Sequence, residues 1–358
     1  MRNVFNRRIS MNKKITLITI VLVMVSVFLV GSRKEQQDLY LMAMAEKESV
    51  KRVELLKQYI TKYGDKEDKF LKFAYLNVAN TAFNLKNYDE TIQYGETAIK
   101  YEDLDSANKL LISLALANSY YATKRDMDKA YQHTQTVIDL ANSLIQQAKS
   151  TSQDDEQTKQ IISKYENYYV APAYRLEGLI LYFKDKDNPE NIKQAAEKAV
   201  EAFNHHNSEV YSQMAFSLAG NLAQKSKFDD AIAIAEKIFD KNDPKLNEIE
   251  FLAKLYAIKK DKDKSTYYYE MAYKLKPNQS LAMKIGQLVH KKDATKAIQY
   301  FADAYVLAKM NKETDAFKYL EHLYFNQVAK DKSDEEKEAG FNQIIAAAKA
   351  RRGMKTDE

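Results

Sequence analysis

The chain has 358 residues, with 55 Lys and Arg against 50 Asp and Glu, and it contains 8 Gly, 4 Pro, no Cys and no Trp. The lack of cysteine excludes a disulfide framework, a thiolate nucleophile and Cys-based zinc or iron–sulfur sites. So few Gly and Pro cannot supply the turns of many short strands, which argues against an all-β or doubly wound fold.

The surplus of basic residues is confined to the N-terminus. Seven of the 55 basic residues precede the first acidic residue, Glu35, which leaves 48 basic against 50 acidic residues in 35–358. A nucleic-acid-binding protein concentrates basic charge in its folded domain, because phosphate contacts supply most of the non-specific affinity. We therefore expect no nucleic-acid partner.

An uncharged run of eighteen residues occupies 15–32, after a basic segment at 1–14. As a helix it would be about 27 Å long, close to the thickness of the hydrocarbon core of a bilayer. We interpret 15–32 as a transmembrane signal anchor, because it is longer than the apolar region of an ordinary signal peptide. A signal peptide cleaved after Ser32 is the alternative, since Val30, Gly31 and Ser32 end the run with small residues. A buried core helix is a third interpretation.

The charges on either side of this run predict its orientation. Five cations precede it and two follow it, which favours a cytoplasmic N-terminus and an extracytoplasmic chain after Arg33. The protein would be a single-pass protein of the cell membrane, or a secreted or periplasmic protein after cleavage. Met11 is a second candidate start besides Met1, and Lys13 and Lys14 preserve the orientation in either case.

From residue 35 onward the pattern is helical, with apolar and small residues at three- and four-residue spacing and short polar turns such as 86–89. Helices at about 35–62 and 67–85 are predicted to connect the membrane segment to an array. Helices at 313–327 and 334–351 are predicted to close that array, and 333–336 (SerAspGluGlu) offers an N-terminal cap for the last one.

Small residues recur at fixed intervals in this pattern. Ser265 follows Ala253 by twelve residues, and Ala272 follows Ser265 by seven. The same two intervals separate the members of two further sets: Ala79, Thr91 and Ala98; Ala219, Ala231 and Ile238. Successive copies are 32 to 39 residues apart, except for one interval of 65 residues between Ala130 and Ala195. A period near 34 with two helices per copy is typical of an α-solenoid, in which a small residue at the helix crossing allows close packing.

The clearest copy contains a bulky residue, a large–small pair and aromatic residues, at Ile249, Leu252, Ala253, Tyr256, Ser265, Tyr269, Ala272 and Pro277. In these positions the chain resembles the tetratricopeptide repeat family. Two further good copies occupy 75–98 and 215–244, and weaker copies occupy 114–139, 174–202 and 282–307. The resemblance covers about 67–330 and implies an all-α solenoid of antiparallel helix pairs. It further implies a right-handed superhelix, with the first helix of each pair lining the concave face.

Together, the charge pattern, the uncharged run and the resemblance divide the chain into five segments. These are a cytoplasmic basic segment (1–14), a transmembrane or signal segment (15–32), a helical connector (33–66), the repeat array (67–330) and a C-terminal capping helix and tail (331–358). The polar stretch 150–167 lacks the repeat motif, so we interpret it as part of a lengthened helix pair and not as a hidden repeat.

Proteins of this family generally bind peptides or protein surfaces in the concave groove, so the resemblance implies a protein or peptide partner. We predict ten groove residues on first helices: Phe73, Leu76, Asn77, Asn80, Phe83, Asn84, Asn118, Tyr121, Arg175 and Tyr182. Asparagine amides can donate to and accept from an extended peptide, and aromatic rings supply contact area. Packing between helices is the competing interpretation for Phe73 and Phe83. The carboxylate clamp of some family members is not expected, because Leu76 stands where its first lysine would be.

No residue pattern indicates catalysis, a cofactor or a metal site. The motifs GxSxG, GxxxxGK[ST] and GxGxxG are absent, and the five histidines show no HExxH spacing. The adjacent His205 and His206 are interpreted as a solvated turn. A glycan is a weaker alternative to a protein partner, because the 25 Tyr are accompanied by no Trp.

We therefore expect a non-enzymatic interaction scaffold, tethered to the membrane and presented on its extracytoplasmic side. The alternative is a structural or assembly subunit of a larger membrane or envelope complex, and a cryptic hydrolase is the third hypothesis.

Overall fold

The computed structural model describes residues 34–65, 68–151 and 155–354, so the predicted membrane segment 15–32 lies outside the described residues. All regular structure in the described residues is helical. None of the helices described there is long and apolar enough to cross a bilayer. The chain forms two compact units, divided between Lys184 and Asp185.

The first unit contains the helices that begin the array. They are α1 (34–45), α2 (Ser49–Tyr63), α3 (Leu71–Asn84), α4 (Tyr88–Ala98), α5 (Ser106–Thr123), α6 (Met127–Thr151), α7 (Glu156–Tyr165) and α8 (Ala171–Lys184). A π-helical turn, Glu166–Val170, joins α7 directly to α8. The predicted lengthened helix pair is thus confirmed, since a long α6 is followed by one continuous helix from Glu156 to Lys184.

The second unit continues the same arrangement. Its helices are α9 (Pro189–His205), α10 (Glu209–Gln224), α11 (Phe228–Ile238), α12 (Leu246–Ile258), α13 (Lys262–Leu275), α14 (Gln279–Val289), α15 (Ala294–Leu307), α16 (Asp315–Leu323) and α17 (Asp334–Arg351). A π-helical turn, Tyr324–Val328, follows α16. The predicted cap of α17 is confirmed: Ser333 and Glu336 form a capping box at its N-terminus.

Helices that follow one another in the chain pack together in pairs. The pairs α3–α4, α5–α6, α10–α11, α12–α13 and α14–α15 are each in extensive contact and are joined by short turns. Short connections make the two helices of a pair antiparallel neighbours. Because each pair also contacts the next along the chain within its unit, the fold is an all-α solenoid.

The small residues of the repeat lie where the helices cross, as predicted. Ala79, Thr91, Ala253, Ser265 and Ala272 are all fully buried. The Ser265 hydroxyl on α13 donates to the Ala253 carbonyl on α12 at 2.9 Å, so the two backbones are within reach of a single short side chain. The periodic small residues therefore identify the contact line between the two helices of a pair.

One predicted helix is divided. The expected helix at about 35–62 is interrupted at 46–48, between α1 and α2. Around the break the Glu48 backbone N–H donates to the Glu46 carboxylate at 2.8 Å, and Arg52 Nε donates to the Glu46 carbonyl at 2.8 Å. Side-chain contacts of this kind replace helical hydrogen bonds without any Gly or Pro, which explains why the pattern did not indicate the break.

Ion pairs connect consecutive repeats at the turns between first and second helices. In each pair, a basic residue at the end of a first helix meets an acidic residue at the start of the preceding second helix. The pairs of this turn ladder are Arg125–Asp89 (2.6 Å), Lys184–Asp128 (3.5 Å), Lys225–Asp187 (2.9 Å), Lys259–Asp229 (2.9 Å) and Lys292–Asp263 (2.8 Å). Each pair lies within one of the two units.

Candidate functional site

Four of the six predicted groove residues on α3 form a single stripe. Phe73, Asn77, Asn80 and Asn84 are separated by four, three and four residues, so they lie on one face of the helix. Phe73 and Phe83 are half-buried, and Phe83 packs against the core cluster of the first unit. The Lys72 ammonium lies 5.1 Å from the centre of the Phe73 ring. Both rings therefore contribute partly to packing and are partly accessible.

Leu76 lies in the core and not on this stripe. Its side chain is 5% exposed and belongs to the hydrophobic cluster that joins α3 to α4 and α5. A ligand on the helix surface has no access to it. On the helix surface, position 76 lies between the stripe and the buried Ala79 at the helix crossing. The Leu76 side chain packs toward the crossing, because burial of an apolar side chain is favourable.

The four asparagines divide into two groups. Asn77 Nδ2 donates to the Phe73 carbonyl at 2.7 Å, and Asn118 Nδ2 donates to the Leu114 carbonyl at 2.8 Å, so part of their donor capacity is used by their own helices. The side-chain amides of Asn80 and Asn84 form no hydrogen bond among the described residues, and Asn84 is exposed. The amides of Asn80 and Asn84 can therefore both donate to and accept from a ligand.

An aromatic and basic group occupies the adjacent first helices. The Tyr121 ring on α5 lies 6.2 Å from the Phe183 ring on α8, and Phe183 in turn lies 5.4 Å from Tyr182, edge to face. Burial raises the pKa of Tyr121, and the exposed Arg175 guanidinium partly offsets that rise, which places the cation beside the phenol. This arrangement combines apolar contact area with a positive charge.

Sequence reasoning missed two exposed apolar side chains of this surface. Phe183 is 51% exposed, and Leu111 on α5 is 40% exposed, seven residues before Asn118 and hence on the same side of the helix. Helices α3 and α5 are in contact, as are α5 and α8, so these residues form one surface. We call it the first-helix face, defined by Asn80, Asn84, Leu111, Asn118, Tyr121, Arg175, Tyr182 and Phe183.

The second unit has a comparable feature that the prediction did not contain. Phe216 on α10 and Phe251 on α12 are half-buried, with ring centres 6.2 Å apart and planes nearly perpendicular. Both residues lie on first helices of consecutive pairs. Their spacing follows the repeat, but a phenylalanine alone does not distinguish a groove position from a packing position.

The histidines lie outside the first-helix face. His205 ends α9 and His206 caps it, but both are half-buried, and the His206 ring packs edge to face on Tyr211 at 5.9 Å. The expected solvated turn is therefore a packed helix end. Across the part of the chain that the structure describes, no group of His, Asp and Glu side chains could hold a metal ion.

A partly buried polar network around His133 connects the second helices α4 and α6 through Tyr120 of α5. Glu96 accepts hydrogen bonds from the Tyr120 hydroxyl at 2.6 Å and from Lys129 Nζ at 3.1 Å, and His133 Nε2 lies 3.6 Å from it. Burial lowers the pKa of His133, although Glu96 acts in the opposite direction. The combination of glutamate, tyrosine and lysine recurs in the second unit, without a histidine in these contacts: the Tyr256 hydroxyl donates to Glu236 and accepts from Lys264.

Comparison with known proteins yields structural likeness alone. No family model matches the chain, and no curated protein matches it. A tetratricopeptide repeat protein from Parabacteroides merdae is similar at 13% identity, covering 82% of this chain and 99% of that one, with a TM-score of 0.37. The apo form of RapI is similar at 12% identity, 83% and 99% coverage and a TM-score of 0.37.

YrrB, described as a tetratricopeptide repeat protein with an unusual peptide-binding site, is similar at 13% identity, covering 67% of this chain and 98% of that one, with a TM-score of 0.36. At such low TM-scores the likeness transfers no ligand, partner or location to this chain. The solenoid assignment rests on the helix pairs and their buried small residues.

Proposed function

We propose that the protein is a non-enzymatic interaction scaffold whose first-helix face binds an extended segment of a protein partner. One observation carries the proposal. The first-helix face combines the Asn80 and Asn84 amides, which no described residue engages, with the exposed Phe183 ring and with the Arg175 cation. Amides can pair with a peptide backbone, and aromatic side chains and arginine dominate the energetics of protein interfaces.

Site-specific crosslinking tests where the partner binds. A photo-crosslinking amino acid at Asn84 should capture a partner from membranes, whereas the same group at the exposed Gln93 of the second helix α4 should not. Equal capture at both positions would contradict binding at the first-helix face. A complex of fixed stoichiometry would favour the alternative role as an assembly subunit.

Substitutions then measure the contribution of the face. Once the partner is identified, the double substitution Asn80→Ala and Asn84→Ala, or Phe183→Ala alone, should weaken its binding by about tenfold or more, as expected for interface anchors. The asparagine double variant should keep its melting temperature within about 2 °C, because surface substitutions away from packed groups change stability little. Phe183→Ala also removes ring contacts with Tyr121 and Tyr182, so its melting temperature should fall further. Gln93→Ala with Gln132→Ala, two exposed residues on second helices, serves as the matched control.

We further propose that residues 15–32 tether this scaffold to the cytoplasmic membrane and that residues after Arg33 are extracytoplasmic. The support is the uncharged run and the five cations that precede it. A reporter that is active only outside the cytoplasm, fused after Glu358, should be active, and the protein should remain in the membrane fraction after carbonate washing. Release by the wash would favour cleavage after Ser32, and activity of a cytoplasmic reporter alone would reject the orientation.

A further inference from the structure

A cavity lies in the second unit, on the side of the second helices and of the terminal helix α17. It has a volume of about 330 Å³, and its lining includes Tyr273, Lys274, Gln299, Asp303, Arg351 and Arg352. None of these residues belongs to the first-helix face. The cavity forms where the end of α17 packs on α15 and Arg352 lies over the Tyr273 ring of α13, so its composition depends on the docking of the terminal helix.

The cavity is built around a buried carboxylate. Asp303 is 4% exposed and accepts from the Tyr273 hydroxyl at 2.8 Å, while Arg351 Nη2 donates to it at 2.8 Å. Arg352 Nη2 lies 3.0 Å from the second oxygen of the same carboxylate. These bonds hold both arginines in fixed positions, because a guanidinium that shares a carboxylate loses its rotational freedom.

The charges around the cavity do not balance. Two guanidinium groups share one carboxylate, and Lys274 adds a third cation to the lining. The Arg352 side chain is 17% exposed, and its Nε–H has no acceptor among the described residues. A nearby carboxylate, Glu270, is already engaged by Lys296 at 2.7 Å and by the Tyr300 hydroxyl at 2.9 Å. Burial of a cation is unfavourable without a matching anion.

We propose that this cavity binds a small anionic group, a carboxylate or a phosphate, between Arg352 and Lys274. The anion supplies the negative charge that Asp303 alone does not provide for two arginines. Arg352, stacked at 4.9 Å over the Tyr273 ring, presents a fixed planar donor, and the exposed Lys274 adds a cation to the same lining.

Thermal unfolding with two probe anions tests the proposal on the full chain in mild detergent. Inorganic phosphate or acetate, titrated at constant ionic strength against sodium chloride, should raise the melting temperature saturably. Lys274→Gln and Arg352→Gln should each weaken the apparent affinity by about tenfold, the loss expected for a charge-assisted hydrogen bond. Arg125→Gln, at an exposed arginine of the turn ladder, should leave the response unchanged.

NMR spectroscopy observes the Arg352 Nε–H group of the wild-type protein directly, so this measurement does not require that an Arg352 variant folds. The ¹⁵N–¹H signal of Arg352 Nε should shift with the same saturation curve as the melting temperature. A response to acetate alone identifies a carboxylate as the ligand, and a response to phosphate identifies a phosphate. No saturable response to either anion, or equal responses in the wild type and in both cavity variants, would overturn the proposal.

Discussion

Single residues at the helix crossings carry a large share of the fold's specificity. Gly286 on α14 lies against the Phe301 ring of α15, and a Cβ atom at position 286 would come within 2.6 Å of that ring. Phe301 is itself only 1% exposed, so its ring cannot move away from the added atom without displacing its other neighbours. In contrast, a Cβ atom at Gly220, inside α10, would meet no atom within 4 Å.

This difference predicts opposite effects of the same substitution. Gly286→Ala should lower the free energy of unfolding by about 1–3 kcal/mol, because it overpacks the α14–α15 crossing. Gly220→Ala should raise it by about 0.5–1 kcal/mol through the higher helix propensity of alanine. Chemical denaturation of the two variants measures both changes. A neutral result for Gly286→Ala would mean that the crossing is less tight than the structure indicates.

A second prediction at this scale concerns His133 and pH. The pKa of His133 lies below its ordinary value near 6.5 because the ring is buried, so the unfolded chain binds a proton more readily than the folded one. The resulting contribution to stability is complete above pH 6.5 and is lost as the pH falls through the lowered pKa. The facing groups do not change charge in this window: Lys129 stays protonated, and hydrogen bonds from Tyr120 and Lys129 outweigh burial and hold the pKa of Glu96 below its usual value.

The free energy of unfolding should therefore decrease between pH 7.5 and pH 5.5, and His133→Gln should flatten that decrease. Denaturant titrations at several pH values give the slope for each protein. The slope is the informative quantity, because the substitution also removes the stacking of His133 on Tyr120 and lowers stability at every pH. Identical slopes in the two proteins would show that His133 is not responsible.

At the scale of helices and turns, the first helices end in a backbone conformation that ordinarily favours glycine. Lys86, Lys124, Ser226 and Lys260 follow α3, α5, α10 and α12, and all have φ between 51° and 62°. A side chain in this left-handed region costs about 1 kcal/mol relative to glycine. The same turn geometry thus recurs with the repeat, although the residue type that would identify it is absent.

Glycine at these turns should stabilise the array. Ser226→Gly should raise the melting temperature by a few degrees, since it removes about 1 kcal/mol of backbone strain at one turn. Ser217→Gly, at an exposed position inside α10, should lower it, because glycine is unfavourable in a helix interior. Differential scanning calorimetry of the two variants separates these effects. A lower melting temperature for Ser226→Gly would contradict the assigned backbone conformation.

The repeat and its packing could be predicted from the sequence because they depend on local spacing. Ala253 and Ser265 are twelve residues apart, and that interval alone places them at one crossing. The break at 46–48 could not be predicted, since it arises from side-chain contacts of Glu46 and not from a helix-breaking residue. The turn ladder could not be predicted either, because its partners are 29 to 56 residues apart and meet only after the helices stack.

The candidate surface was predictable in part, for a similar reason. The stripe of Asn80 and Asn84 follows from helical periodicity, whereas the burial of Leu76 and the exposure of Phe183 depend on which neighbouring helix covers each position. The anion cavity depends on the docking of α17 on α15, more than forty residues earlier in the chain. No local pattern contains that information.

At the scale of the whole molecule, the turn ladder pairs five of the 48 basic residues with five of the 50 acidic residues found from Glu35 onward. The acidic members of the ladder are 70–83% exposed, so each pair contributes at most about 1 kcal/mol. The ladder therefore selects the register between consecutive turns more than it adds stability. None of the ladder residues belongs to the first-helix face or to the anion cavity, so the ladder does not engage the polar groups of either site.

The continuous helix from Glu156 to Lys184 can serve as an internal distance standard. At 1.5 Å per residue it is about 43 Å long, and its π-helical turn keeps it unbroken where two shorter helices would otherwise meet. Arg175, Tyr182 and Phe183 of the first-helix face lie on this helix, so two spin labels placed away from them should report a distance that stays constant when a partner binds. Distances from those labels to other helices of the first unit could then be measured against an internal standard in the same molecule.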